Sequence, residues 1–100
     1  MTLIYITCKD EKEAEKISMH LLKKRLIACA NIFPIKSMYW WKNKIVNDNE
    51  NVIIAKTKDE NFKKVEYEVK RLHSYKIPGI LKINAISNKD YERWVNKEVR

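Results

Sequence analysis

Apolar and polar positions run along this chain in blocks that change period from one segment to the next. Residues 2–7 (Thr-Leu-Ile-Tyr-Ile-Thr) are short, apolar and β-branched, which predicts a first strand buried on both faces. Asp10 is placed to cap a helix. From Glu11 to Arg25, Ala14, Ile17, Leu21 and Leu22 recur at helical spacing opposite a charged face. Residues 27–41 predict a long strand. Pro34 has no N–H to give to a ladder, so it marks a bend, a bulge or an edge position. Lys42-Asn43-Lys44 reads as a turn, with Asn43 the residue best suited to a positive φ.

A return strand is expected from about Ile45 to Thr57. Its first half, Asn47-Asp48-Asn49-Glu50-Asn51, is a poor strand sequence and its second half, Val52-Ile53-Ile54-Ala55, a good one. The polar half is either extended and solvated or bulged. Asp59 is placed to cap a second helix whose buried stripe is Phe62, Val65, Val69 and Leu72. Residues 73–79 are irregular and end in Pro78-Gly79. Residues 80–87 predict a last core strand. Ser87-Asn88-Lys89-Asp90 has the form of a capping box, with Asp for Glu. A final short helix sets Tyr91, Trp94 and Val95 on one face.

The order βαββαβ plus a trailing helix, joined by right-handed crossovers, gives an α+β ferredoxin-like sandwich: one antiparallel sheet with two helices on one side. The central hairpin is long for so small a domain and must project beyond the sheet. Trp40 and Trp41, adjacent at its end, point to opposite faces of a strand, so one core cannot take both. One of them must pack on a ligand, a partner or another copy of the chain. Pairing with a further subunit is also one way to cover the exposed strand edges.

Length changes this picture little. One hundred residues make a single domain, 1–100, that buries roughly 65% of its unfolded surface, enough for a core without disulfides or metals. Cys8 and Cys29 are far apart and form no CxxC, which predicts free thiols and a cytoplasmic protein. No secretory signal and no membrane-spanning run is read from the sequence. The net charge of +8 suggests polyanions, but the basic residues are spread through the chain among acids, so a generally basic solvated surface is expected and no nucleic-acid partner. An RNA-recognition module shares the element order, yet it needs aromatics on its inner strands, and 51–57 has none.

Catalytic patterns are missing. There is no glycine-rich phosphate loop and no GxSxG or HExxH. Cys29 lies in an apolar strand and is most simply a core residue. His20 lies on the first helix, one residue before Leu21, at the surface or the edge of the core. No nucleophile, base and orienting group come together in the sequence, so an enzyme is not expected. Cys8 with His73 offers two ligands for Cu(I) or Zn, one or two short of a site, and an incidental thiol at a strand end is the simpler reading. His73-Ser74-Tyr75-Lys76 joins the second helix to the last strand. It suits an anion or metal loop and a helix C-cap equally.

Several of these segments, taken in order, resemble the CutA family of divalent-cation tolerance proteins over essentially the whole chain. Leu26-Ile27-Ala28-Cys29-Ala30-Asn31-Ile32-Phe33-Pro34 is similar to its Leu-Ala-Ala-Cys-x-Asn-x-x-Pro signature. Ser37-x-Tyr39-x-Trp41 and Ile45 match its hairpin, Glu50 and Lys56-Thr57 its return strand, His73-x-Tyr75-x-x-Pro78 its loop, and Tyr91-x-x-Trp94 its final helix. The resemblance implies a cytoplasmic homotrimer related in architecture to PII signalling proteins and linked to tolerance of copper and other divalent ions. It implies a metal or small anionic ligand in clefts at the subunit junctions, lined or supported by Trp41, Glu50, Lys56, His73, Tyr75, Tyr91 and Trp94, with Lys56 meeting an anionic group. A scaffolding trimer that anchors a partner protein and a PII-like small-molecule sensor are the other readings. The chain has Ser74 where the family usually has Pro, Gly79 where it has Glu, and Asn43 where it has Gly. Ile6 and Leu72 stand where some members have Cys and His. His73 is left as the candidate metal ligand.

Overall fold

The computed structural model describes residues 1–100. The elements are β1 (Thr2–Cys8), α1 (Glu11–Lys23), β2 (Cys29–Trp41), β3 (Lys44–Thr57), α2 (Phe62–Leu72), β4 (Ile80–Asn84) and α3 (Lys89–Glu98), with a 3-10 turn over Asp59–Asn61 before α2. The strands form one sheet in the order β2-β3-β1-β4, every neighbouring pair antiparallel. This is the expected ferredoxin-like arrangement.

The core lies between the sheet and the two long helices. Ile4, Ile6 and Cys8 of β1 and Ile53 and Ala55 of β3 meet Ala14, Ile17 and Leu21 of α1 and Val65 and Val69 of α2. Alternate strand residues face this side, and all of these are fully buried. The other side of β1 differs from expectation. Leu3, Tyr5 and Thr7 are only partly covered, so the strand is buried on one face rather than two. α3 lies against part of that open face and buries Val95 and Val99. Leu81 and Ile83 of β4 remain 52% and 43% exposed on it.

Asp10 caps α1 as expected, its Oδ1 accepting from the Glu13 backbone N–H at 2.8 Å. The helix stops at Lys23, two residues early, because Arg25 takes φ 59° and reverses the chain. Asp59 does not cap α2. Its carboxylate accepts instead from the Thr2 hydroxyl and lies 3.9 Å from Lys82 Nζ, so tertiary partners on β1 and β4 outcompete the local role. The expected capping box also fails: the N-cap of α3 is Asn88, and the Ser87 hydroxyl donates to Asn88 instead of the helix. β4 ends at Asn84, short of Ser87.

The hairpin is regular to its end. The β2–β3 register runs unbroken from Cys29 opposite Lys56 to Trp41 opposite Lys44, so the polar half of β3 is extended and unbulged. Pro34 pairs with Asn51 on β2, an outer strand, where a missing N–H costs little. β1 reaches only to Asn51 on β3. Residues 44–50 and their partners therefore overhang the sheet by about 24 Å, seven residues at the usual strand rise.

Candidate functional site

The hairpin overhang and the loop 73–79 enclose a cavity of about 720 Å³. That is within the usual ligand-pocket size. Ser37, Tyr39, Trp41, Val46 and Glu50 line it from the hairpin, Tyr75, Lys76 and Ile77 from the loop. The register explains the hairpin side: Ser37, Tyr39 and Trp41 are two apart on β2 and share a face with Val46 and Glu50 on β3.

Glu50 and Tyr75 fix the junction between the two walls. Glu50 is only 6% exposed, and the Tyr75 hydroxyl donates to its Oε2 at 2.6 Å. Burial, reinforced by that carboxylate, pushes the Tyr75 hydroxyl well above its ordinary range, so it stays a donor. Nearer the tip, the Tyr39 hydroxyl donates to Asp48 Oδ2 at 3.2 Å.

His73 sits behind this wall. It is the C-cap of α2, and its side chain is fully buried. The Tyr75 backbone N–H donates to Nδ1 at 3.0 Å, so in the neutral ring the proton is on Nε2 and is given to the Thr7 carbonyl at 2.7 Å. Both ring nitrogens are thus in use, and the loop is pinned across the end of β1. Glu13 reinforces it, accepting from the Ser74 N–H at 2.9 Å and the Lys9 N–H at 3.0 Å. Burial pushes the Glu13 carboxyl up, but the hydrogen bonds from Ser74 and Lys9 and the neighbouring His73 outweigh it, and the net direction is down.

Cys8, Glu13 and His73 bring sulfur, oxygen and nitrogen donors within 4.8 Å of one another. The Cys8 thiol is pushed up to about 12, chiefly by burial and then by Glu13, Asp10 and Glu50. It is protonated at neutral pH.

The seven residues expected at the site divide into two groups. Trp41, Glu50, His73 and Tyr75 meet around the hairpin and loop. Lys56, Tyr91 and Trp94 form a second group at the other end of β3, with Lys56 Nζ 5.5 Å from the Tyr91 ring centre and the Tyr91 and Trp94 rings 5.5 Å apart. Glu50 and Lys56 share a strand face about 20 Å apart, six residues at the strand rise. Within one chain the groups do not converge. Val46 and Ile77 are pocket residues the sequence reading did not single out, while Tyr39 and Lys76 entered it only as members of the hairpin motif and the loop. The alternation of Ser37, Tyr39 and Trp41 was the available signal.

Comparison with known proteins settles the family. The sequence model described as CutA1 divalent ion tolerance protein matches residues 2–98. The chain belongs to the CutA family. The divalent-cation tolerance protein CutA of Archaeoglobus fulgidus is 45% identical over 97 residues, covering 96% of this chain and 95% of that protein. A crystal structure of Pyrococcus horikoshii CutA1 superposes with a TM-score of 0.97 at 39% identity, covering 100% of this chain and 99% of that one. A PII-like CutA from Nostoc shares the fold, with a TM-score of 0.93 at 22% identity and coverage of 100% and 98%. No helix is long and apolar enough to cross a membrane.

Proposed function

We propose that this CutA protein works in the cytoplasm as a non-enzymatic homotrimer in the tolerance of divalent ions such as copper. Its ligand, a metal or a small anion, is held at subunit junctions. One observation carries the reading: a pocket of about 720 Å³, half walled by a hairpin that extends past its own sheet, with the buried Glu50–Tyr75 pair at its base. Trp41 is 47% exposed and Trp40 71% exposed on opposite sides of that hairpin. A neighbouring subunit placed against the overhang would close the pocket. It would also supply the Lys56, Tyr91 and Trp94 group that a single chain holds too far away. Lys56 would then meet an anionic group, and the aromatic rings would form the walls.

A second reading concerns the metal itself. Cys8, Glu13 and His73 are a donor set that suits zinc or copper. Binding there requires loss of the Cys8 proton, and a His73 ring nitrogen must give up its hydrogen bond to Thr7 or Tyr75, so through the thiol uptake must rise with pH.

Native mass spectrometry on gently purified protein, before and after adding copper and zinc, tests both readings. A trimer carrying added mass is expected, and Tyr75→Phe with Trp41→Ala should release a cleft-bound small molecule. A trimer that stays bare would shift weight to a scaffolding role. A monomer would sink the junction. Metal retention lost in Cys8→Ser but kept in the Tyr75→Phe/Trp41→Ala protein would favour the buried donor set.

A further inference from the structure

On the helix side, away from the hairpin pocket, the ends of α1 and α2 enclose a groove of about 640 Å³. Five of its eight lining residues are cations: Lys23, Lys24, Lys63, Lys64 and Arg100. They come from three separate segments, which is why the sequence shows no basic block.

The single acidic side chain there already has partners. Glu68 Oε1 lies 2.6 Å from His20 Nε2, 2.8 Å from an Arg71 nitrogen and 3.7 Å from Lys24 Nζ. The hydrogen bonds from His20 and Arg71 hold its carboxyl down to about 2. It therefore remains an anion, balanced by Arg71 and Lys24 and hydrogen-bonded to His20. Lys23, Lys63, Lys64 and Arg100 make no ion pair of their own, although lysines, arginines and the N-terminus form seven elsewhere or around Glu68.

Local stability does not ask for this arrangement. Lys63 and Lys64 fall in the first turn of α2, where the helix dipole disfavours cations and no acidic side chain is present. The nearby Asp59 is turned away to Thr2 and Lys82. Several like charges facing one cavity repel one another unless an anion fills it. Lysine heads are compact, rotatable point charges that suit phosphate oxygens without imposing one geometry. Tyr67, 65% exposed, offers a ring at the edge of the same groove.

We propose that this groove binds a short phosphate chain, gripped by Lys23, Lys24, Lys63, Lys64 and Arg100. The chain is either inorganic or the tail of a nucleotide, and Tyr67 separates the two. An inorganic chain meets only the lysines and arginine, whereas a nucleotide also stacks its base on the ring.

Calorimetric titration of the full chain with inorganic triphosphate at low salt is the test. Saturable binding is expected, weakening steadily as salt is added. Lys63→Glu with Lys64→Glu should weaken it at least ~tenfold and flatten the salt dependence, since two contacts are lost. Lys9→Glu with Lys12→Glu makes the same change of charge at exposed positions at the opposite end of α1 from Lys23 and Lys24, and should alter binding by less than ~threefold. All four lysines are exposed, so a thermal melt suffices to confirm that each variant is folded. Adenosine triphosphate that binds more tightly than triphosphate, with the advantage abolished by Tyr67→Ala, identifies the nucleotide form of the site. Equal affinities identify the inorganic form. The proposal is overturned if triphosphate gives no binding at low salt, if both double variants weaken it equally, or if only a long RNA is retained. The hairpin pocket is untouched by these variants, so its own test stands apart.

Discussion

At the scale of single residues, burial decides which side chains of the candidate site can react. Cys8 is fully buried and its thiol is held near 12, whereas Cys29 is partly exposed. Only a thiolate alkylates at a useful rate. Iodoacetamide at pH 8 should therefore modify Cys29 first, and Cys8 should react only once denaturant opens the core; mass mapping of the peptides checks this. Equal early labelling of both would show that β1 opens at its Cys8 end. Glu68 gives a second residue-level expectation. Its folded carboxyl lies near 2 against an ordinary 4.5, owing first to His20 and then to Arg71. A depressed carboxyl stabilises the fold above its ordinary range, and that contribution disappears as pH falls from 4.5 towards 2. Melting temperatures measured across this window should fall for the native chain and fall less steeply for Glu68→Gln, which starts from a lower value at pH 7. Parallel slopes would mean that His20, Arg71 and Lys24 do not stabilise the ionised form.

Elements were legible in the sequence where the signal is local and misread where a distant partner intervened. Asp10 and Asp59 make the point: both precede helices, and only Asp10 caps one, because the Thr2 hydroxyl claims Asp59 across the sheet. The buried stripes of the helices followed from periodicity, since spacing fixes which face a side chain takes, and the sheet arrangement followed from the element order and the handedness of the crossovers. The pocket was legible only in part. Glu50 and Tyr75 could be singled out separately, but their 2.6 Å bond depends on a loop crossing the end of β1, which no short-range pattern encodes. His73 shows the same limit. Its residue type suggested a ligand, while the fold commits both of its nitrogens to hydrogen bonds. The hairpin turn is the element most open to improvement. Lys42 and Asn43 both take positive φ, 51° and 63°, in a two-residue connection between Trp41 and Lys44. Asn-Gly is the sequence such a turn prefers. Lys42→Asn with Asn43→Gly should raise stability by about 0.5–1 kcal/mol, read from urea unfolding midpoints. A loss of stability would indicate that the Lys42 side chain contributes more than its backbone strain costs.

For the whole molecule, the surface left bare by one chain specifies how copies should assemble. The sheet has a packed side and an open side, and the open side continues into the hairpin overhang. Leu81, Ile83 and Phe33 are 52%, 43% and 36% exposed on that open side, and Trp41 is 47% exposed further along it. So much connected apolar surface on a small chain is unusual for a monomer and typical of an interface. β2 and β4 are also free edges, open to pairing with another strand. Light scattering on the purified protein should give three times the chain mass of 12.0 kDa. Ile83→Glu puts a charge into the face, and burying that charge unpaired costs several kcal/mol per subunit, enough to dissociate the assembly at micromolar concentration. Ile86→Glu is the matched control, because Ile86 is fully exposed beyond the end of β4 and should leave the mass unchanged. A native chain that runs as a monomer would leave both halves of the expected cleft permanently apart. An Ile83→Glu protein that keeps its mass would move the interface off the open face and onto the hairpin alone, where Trp40→Glu becomes the decisive variant.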